Sequence, residues 1–209
     1  NLKNETKPFF ATFFSLSSHP PYTLPNYYKS ESSNTGIQKT IKYSDYSLKK
    51  FFDKIKKEHW FKNTIFIITA DHTSGERYNN QYNNQIGKYA IPMLIYKGDN
   101  SFKGINSNIV QQIDIMPTIL DVIGYNKKFF SFGKSMIKNK EWAISYLQKT
   151  YHLITPNRIT INKNNNYHTF KDWELKEEIK LNTKDVTLLN AIKQNYNNRM
   201  LENNLSYEN

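Results

Sequence analysis

Residues 64–72 read Thr64-Ile65-Phe66-Ile67-Ile68-Thr69-Ala70-Asp71-His72, an apolar, β-branched run that stops at two side chains able to bind a metal. No polar residue interrupts Ile65–Ile68, which predicts a strand covered on both faces in a parallel sheet. Asp71 and His72 fall where that strand should end. Successive strand side chains point to opposite faces, so the two reach one ion only if the backbone turns there. In open α/β sheets, ligands and catalytic groups collect just beyond the carboxyl ends of strands.

The flanking sequence supplies partners for this strand. Phe9–Leu16 is a second strand candidate, and Pro20-Pro21 stops it, so His19 is expected on a post-strand loop. Residues 22–35 are rich in Tyr, Ser and Asn, as in a surface excursion. A helix is predicted over Gln38–Glu58, with Ile41, Leu48, Phe51, Phe52 and Ile55 near one face and Thr35 or Asn34 as its cap. Strand, loop, helix, strand is the βαβ order of a parallel sheet. The polar connection Thr73–Lys88 is long, as connections beside functional sites often are. A third strand spans Ala90–Tyr96 and should lie near an edge or begin after Pro92. Asp114 is placed to cap a short helix that runs to Ile123, with Pro117 in its first turn and Gly124 ending it.

From Trp142 the pattern changes. Trp142–Leu147, Tyr151–Ile154, Arg158–Ile161 and Tyr167–Phe170 are short alternating or aromatic runs between turn residues, predicting an antiparallel meander at an edge. A last helix is expected over Lys184–Leu201, with Val186, Leu188, Leu189, Ile192 and Tyr196 as its seam. The predicted organisation is a core over residues 1–138, a meander over 139–180, and a helix and tail over 181–209. There are no internal repeats.

Composition narrows the chemistry. The 209 residues include 13 Phe and 15 Tyr and are 38% hydrophobic, enough for a real core. No apolar run reaches the roughly 18 residues that a membrane helix needs. The absence of cysteine excludes disulfides, thiol catalysis and zinc–thiolate sites. The formal charge is 29 − 18 = +11, yet the lysines are scattered. Lys49-Lys50 and Lys56-Lys57 read as a solvated helix side, and no nucleic-acid partner is expected.

Asp71 and His72 offer a carboxylate oxygen and an imidazole nitrogen, a donor pair suited to a hard or borderline divalent ion. The plainer alternative is an Asp capping the next turn and a His bonded to backbone. His19 could donate a hydrogen bond to an anionic substrate oxygen or could be a surface histidine. His59, His152 and His168 are expected to be structural or solvent-exposed. Lys88, Arg77 and Lys134 could contact phosphate, though each fits a surface charge better. Gly133 reads as a turn glycine. No Gly-rich phosphate loop and no nucleophile elbow are present.

Several segments together resemble the sulfatase-like enzymes. They are Pro8-Phe9-Phe10 through Ser17-Ser18-His19-Pro20-Pro21-Tyr22, Tyr43-Ser44-Asp45 leading a helix, Asn63 through His72, Tyr89-Ala90-Ile91-Pro92, and Gln112-Ile113-Asp114-Ile115-Met116-Pro117-Thr118-Ile119-Leu120. Residues 8 to about 137 are most similar to the lipoteichoic acid synthase and phosphoglycerol transferase branch of the alkaline phosphatase superfamily. The resemblance implies a three-layer α/β/α sandwich with a largely parallel sheet, followed here by the antiparallel meander and helix. It implies a divalent metal, manganese first and Mg2+, Ca2+ or Zn2+ otherwise, held in part by Asp71 and His72. His19 matches the histidine that binds the substrate's phosphate or glycerol-phosphate group. The implied reaction is transfer or hydrolysis at a phosphate or sulfate ester through a covalent enzyme intermediate, on a phospholipid- or glycan-derived substrate. The implied setting is the cell envelope, in the extracytoplasmic part of a membrane protein.

In the family the nucleophile and a further acidic ligand precede the His19 segment. The residues before His19 hold Thr6 and Thr12 but no such motif. The expectation is therefore the C-terminal half of a catalytic domain. Its partners would be the rest of that domain and a membrane anchor, with weak metal binding and no turnover by this segment alone. The phosphoethanolamine branch fits less well, because its soluble domains typically carry disulfides. The competing reading is a non-catalytic basic α/β module that binds anionic cell-envelope polymer.

Overall fold

The computed structural model describes residues 2–30, 35–76, 79–138 and 142–207. They fall into two compact units, one of residues 1–70 with 92–104 and one of residues 71–91 with 105–209.

The first unit is built on helix α1 (Gly36–Ile55) and strands β1 (Ile65–Thr69) and β2 (Met93–Lys97). Thr35 holds the N-cap position of α1 in extended conformation without a side-chain cap bond; Asn34 lies outside the described residues. The helix buries Ile37, Thr40 and Ile55, whereas Ile41, Leu48 and Phe51 of the expected face are exposed. Tyr43-Ser44-Asp45 lies inside α1 rather than ahead of it. The core is aromatic. Phe52 lies 5.1 Å from Phe66 and 5.6 Å from Tyr96, and Phe61 lies 5.6 Å from Phe66, as ring centroids, within the range where aromatic pairs add to area burial.

Strands β1 and β2 pair antiparallel, with Phe66 opposite Tyr96 and Ile67 opposite Ile95. This departs from the parallel neighbours expected for Ile65–Ile68, and no parallel ladder occurs among the described residues. Among the described residues, the segment between the strands holds the 3-10 turns Asn80–Tyr82 and Gly87–Tyr89 and no α-helix. With no crossover helix, the chain reverses direction. An unbroken apolar run reports covered faces, not the direction of the neighbouring strand. As expected, β2 begins just after Pro92, whose ring nitrogen has no hydrogen for a ladder. Phe9–Leu16 is the second correction: it joins no ladder. Phe10, Phe13, Phe14 and Leu16 are all at least 70% exposed; Phe9 lies edge-on to Trp60 at 5.4 Å, and Phe13 keeps a ring contact with Phe51 at 6.1 Å.

The second unit holds α2 (Ile115–Val122), a five-stranded antiparallel sheet and α3 (Thr183–Leu201). The strands are β3 (Ala143–Leu147), β4 (Thr150–Thr155), β5 (Arg158–Lys163), β6 (Asn166–Phe170) and β7 (Glu178–Ile179), paired in sequence order. The expected meander is present, with β7 as an addition. Both residues of the Gln148-Lys149 and Asn164-Asn165 turns have positive φ, the conformation that matches the twist of a two-residue hairpin. Along one sheet face, Leu153, Thr160, Asn162 and Thr169 are buried, as is Leu189 of α3. Arg158 donates through Nε and Nη2 to the Asp185 carboxylate on α3, the latter at 2.9 Å. Asn182 caps α3 by accepting the Asp185 N–H at 3.1 Å.

Candidate functional site

The backbone bends directly after β1, and that bend puts Asp71 and His72 on one side. Oδ1 of Asp71 accepts the His72 backbone N–H at 2.9 Å. Oδ2 lies 3.4 Å from His72 Nε2. His72 Nδ1 lies 2.7 Å from the Thr73 carbonyl. A carbonyl only accepts, so Nδ1 is a proton-bearing nitrogen, and Nε2 is the ring nitrogen left to face an ion beside Asp71. This is the usual arrangement of a metal-binding histidine, whose second nitrogen is fixed by a carbonyl or carboxylate. Two donors each about 2.1 Å from one ion stand about 3.0–3.4 Å apart, so the spacing of Oδ2 and Nε2 suits a shared divalent cation. Both side chains are more than half exposed. Among the described residues no group of three or more His, Asp or Glu could hold an ion, so this pair is a partial ligand set.

The bend is supported from several directions. Gln112 Nε2 donates to the Asp71 carbonyl at 3.1 Å. The Thr73 hydroxyl donates to the Lys88 carbonyl at 2.7 Å. Gln112 stands in a 3-10 turn whose third residue, Asp114, is fully buried. The Asp114 carboxylate does not cap α2 as expected. It reaches back to the Gln111 N–H at 2.8 Å and across to the Lys134 N–H at 2.9 Å. These supports were not legible in the sequence as site residues; a glutamine just before a helix carries no signal of what its amide will meet.

His19 belongs to the first unit and lies on a tight turn, exposed. Its N–H donates to the Leu16 carbonyl at 3.1 Å, and its Nδ1 lies 2.9 Å from the Pro20 carbonyl, leaving Nε2 outward. The loop is tied to α1 through the Ser18 and Ser44 hydroxyls, 3.5 Å apart, and through a Tyr27–Tyr43 hydroxyl pair at 2.7 Å.

Other candidates take structural roles. His59 Nε2 donates to the Glu5 carbonyl at 2.9 Å, and His168 pairs with Glu178 at 2.7 Å. His152 is wholly buried on β4, and burial pushes its pKa down from the usual histidine value. Lys88 uses its carbonyl and Lys134 its backbone N–H in the bonds above. Arg77 lies outside the described residues.

These features, an α/β unit with a carboxylate–imidazole pair just past a strand end, define a class, and the comparisons agree with it. The chain superposes on a solved protein of the alkaline phosphatase superfamily from Vibrio parahaemolyticus with a TM-score of 0.81 and 25% identity, over 99% of this chain and 52% of that one. The fold is thus the mixed α/β fold of that superfamily, here with an antiparallel five-stranded C-terminal sheet and helix. The Sulfatase family model matches residues 1–125, and the chain belongs to the Sulfatase family. It is similar to the lipoteichoic acid synthases of Staphylococcus aureus strains USA300 and NCTC 8325, 27% identical over 206 residues, which cover 87% of this chain. The chain spans about a third of the length of these curated relatives, 32%. No described helix is long and apolar enough to cross a membrane.

Proposed function

We propose that these residues are the C-terminal portion of a metal-dependent enzyme that acts on phosphate esters, phosphoglycerol or another phosphodiester, with sulfate esters as the alternative class. The observation that carries this reading is the Asp71–His72 pair. Its outward donors are 3.4 Å apart and its imidazole tautomer is set for a ligand. Membership of the Sulfatase family and similarity to lipoteichoic acid synthase support it.

Asp71 Oδ2 and His72 Nε2 would hold the divalent ion in part, Mn2+ first, with Mg2+, Ca2+ or Zn2+ as alternatives. The ion would supply positive charge to polarise the phosphoryl or sulfuryl oxygen. The Thr73 carbonyl keeps the proton on Nδ1, so Nε2 stays a donor of electrons. By the family resemblance, His19 would be the residue that binds the substrate's phosphate or glycerol-phosphate group. A nucleophile supplied by the remainder of the catalytic domain bonds to the phosphorus or sulfur, and the ester oxygen leaves as an alcohol. Water or an acceptor hydroxyl then takes the group and frees the nucleophile. The exposed Phe10, Phe13, Phe14 and Leu16 support a docking surface for that remainder. By similarity to lipoteichoic acid synthase, the setting is the extracytoplasmic side of a membrane-anchored protein, with a lipid- or glycan-derived substrate.

The test is metal content and phosphodiesterase activity of the complete protein beside His72→Ala and Asp71→Ala. The expected result is stoichiometric divalent metal and metal-dependent cleavage in the wild type, both lost in the variants. Unchanged metal content and turnover in the variants would overturn the reading. Salt-sensitive polyanion binding that ignores Asp71→Ala, without any cleavage, would favour the basic binding module instead, given the charge of +11.

A further inference from the structure

We propose that the segment Asn79–Tyr89 is a strap that orients the His72 imidazole, and that His152 is the positioning residue anchoring it to the C-terminal sheet. The inference rests on the reading of His72 as a metal ligand.

The connection runs through four hydrogen bonds joined by the backbone of the strap. His72 Nδ1 donates to the Thr73 carbonyl, and the Thr73 hydroxyl donates to the carbonyl of Lys88 in the strap. Next to Lys88, the Tyr89 hydroxyl donates to the Tyr146 carbonyl of β3 at 2.8 Å. Four residues before Tyr89, Gln85 Oε1 lies 3.0 Å from His152 Nε2 on β4. The amide oxygen accepts, so Nε2 carries the proton. The Ser145 hydroxyl, 3.2 Å from Nδ1, then donates to the other ring nitrogen. The imidazole is neutral and bonded on both sides.

The strap has the internal order that such a role needs. Asn84 Oδ1 accepts the N–H groups of Ile86 and Gly87 at 2.9 and 2.7 Å. Ile86 is 4% exposed. A Cβ on Gly87 would stand 2.0 Å from the Gln81 carbonyl oxygen, so the strap closes on itself at a point only glycine allows.

The position of His152 argues for an anchoring role. It is 0% exposed, where an aliphatic residue would pack without the desolvation cost of a polar ring. What the imidazole adds is a directed N–H that reaches a residue 67 positions earlier, on the segment that follows the proposed ligands. Without that bond the strap keeps its internal turn and the Tyr89 bond but loses its hold on β4, so the Lys88 carbonyl is held less firmly against Thr73. Supports of this kind behind a metal-binding histidine typically change metal affinity by about 10–100-fold.

The experiment uses the complete protein and Mn2+ alone as probe. Free Mn2+ is read by electron paramagnetic resonance, and amide exchange is followed over residues 79–89. His152→Leu is expected to weaken Mn2+ binding about tenfold or more and to speed exchange in the strap. His152→Gln, which keeps an N–H donor toward Gln85, is expected to restore affinity to within about threefold of wild type. Ser145→Ala should weaken it less than His152→Leu does, because the Nε2 bond to Gln85 stays in place; an equal loss would overturn the role given to that bond. Wild-type Mn2+ affinity in a folded His152→Leu protein overturns the strap. So does a failure of His152→Gln to bind better than His152→Leu. If His152→Leu does not fold, Tyr89→Phe removes the second anchor alone, and unchanged affinity there overturns the proposal. His72→Ala separates the two claims. If it binds Mn2+ like wild type, the ligand reading itself is wrong. If it loses Mn2+ while the strap variants keep it, only the strap fails.

Discussion

Asp185 ties α3 to the sheet, and removing its carboxylate is the sharpest test of how the C-terminal layer is held. The residue is 5% exposed. It accepts two hydrogen bonds from Arg158 and a third from the Thr160 hydroxyl at 3.2 Å. Its pairing pushes the Arg158 guanidinium pKa further up. In Asp185→Ala the guanidinium loses its partner, and the Thr160 hydroxyl keeps only the Thr169 hydroxyl, 3.0 Å away. Breaking a buried pair from one side costs about 3–5 kcal/mol. Arg158 retains 30% of its side-chain exposure, so water recovers part of its solvation and the lower end applies, about 3 kcal/mol. Native-state amide exchange over β5 and α3 isolates the opening of this layer. At 1.4 kcal/mol per factor of ten, the expected acceleration is about 150-fold. A double-mutant cycle with Arg158→Met should show coupling of at least about 1 kcal/mol, because the second change removes the orphaned charge. Acceleration below about threefold, or additive effects in the cycle, would refute the claim that this pair fastens helix to sheet.

Two further outcomes follow from the same unit. Gly133→Ala would set a Cβ 1.9 Å from the Ile113 carbonyl oxygen, and the backbone shift would pull Lys134 N–H from the Asp114 carboxylate. A loss of about 2–3 kcal/mol is expected, against less than about 0.5 kcal/mol for Gly75→Ala, which meets nothing within 4 Å; urea midpoints of the two variants compare them, and equal midpoints would contradict the packing. Burial holds His152 below its ordinary 6.5. The unfolded chain therefore takes up that proton at a higher pH than the folded one. Its contribution is complete above about pH 6.5 and is lost as pH falls below it, by at most about 1.4 kcal/mol per pH unit. Urea midpoints from pH 7.5 to 5.5 should fall less steeply in His152→Gln than in wild type, and identical slopes would show that His152 does not titrate between the two states.

How much of this was legible depends on whether the signal is local. The short alternating runs of the meander between their turn residues and the helix over Lys184–Leu201 follow from turn chemistry and side-chain period. The structure returns them with only small boundary shifts. The bend at Asp71-His72 was legible as a requirement, since only a turn brings adjacent strand-end side chains together, and the 3.4 Å separation meets it. Strand direction was not legible. The run Ile65–Ile68 encodes two covered faces, and the antiparallel direction goes with a connection to β2 that holds no α-helix among its described residues. Phe9–Leu16 fails for a related reason. Its residues favour a strand, but a strand needs a partner for its ladder, and local propensity cannot supply one. The supports of the site were the least legible of all. Gln85, Gln112 and His152 are separated by tens of residues, and each is an ordinary polar side chain until the fold decides which carbonyl or ring it faces. If the strap inference holds, the meander has a role that its own pattern never suggested. It becomes the rigid body against which the loop after the candidate ligands is set, and its strand order and the burial of β4 then matter to the chemistry as much as the Asp71-His72 step does.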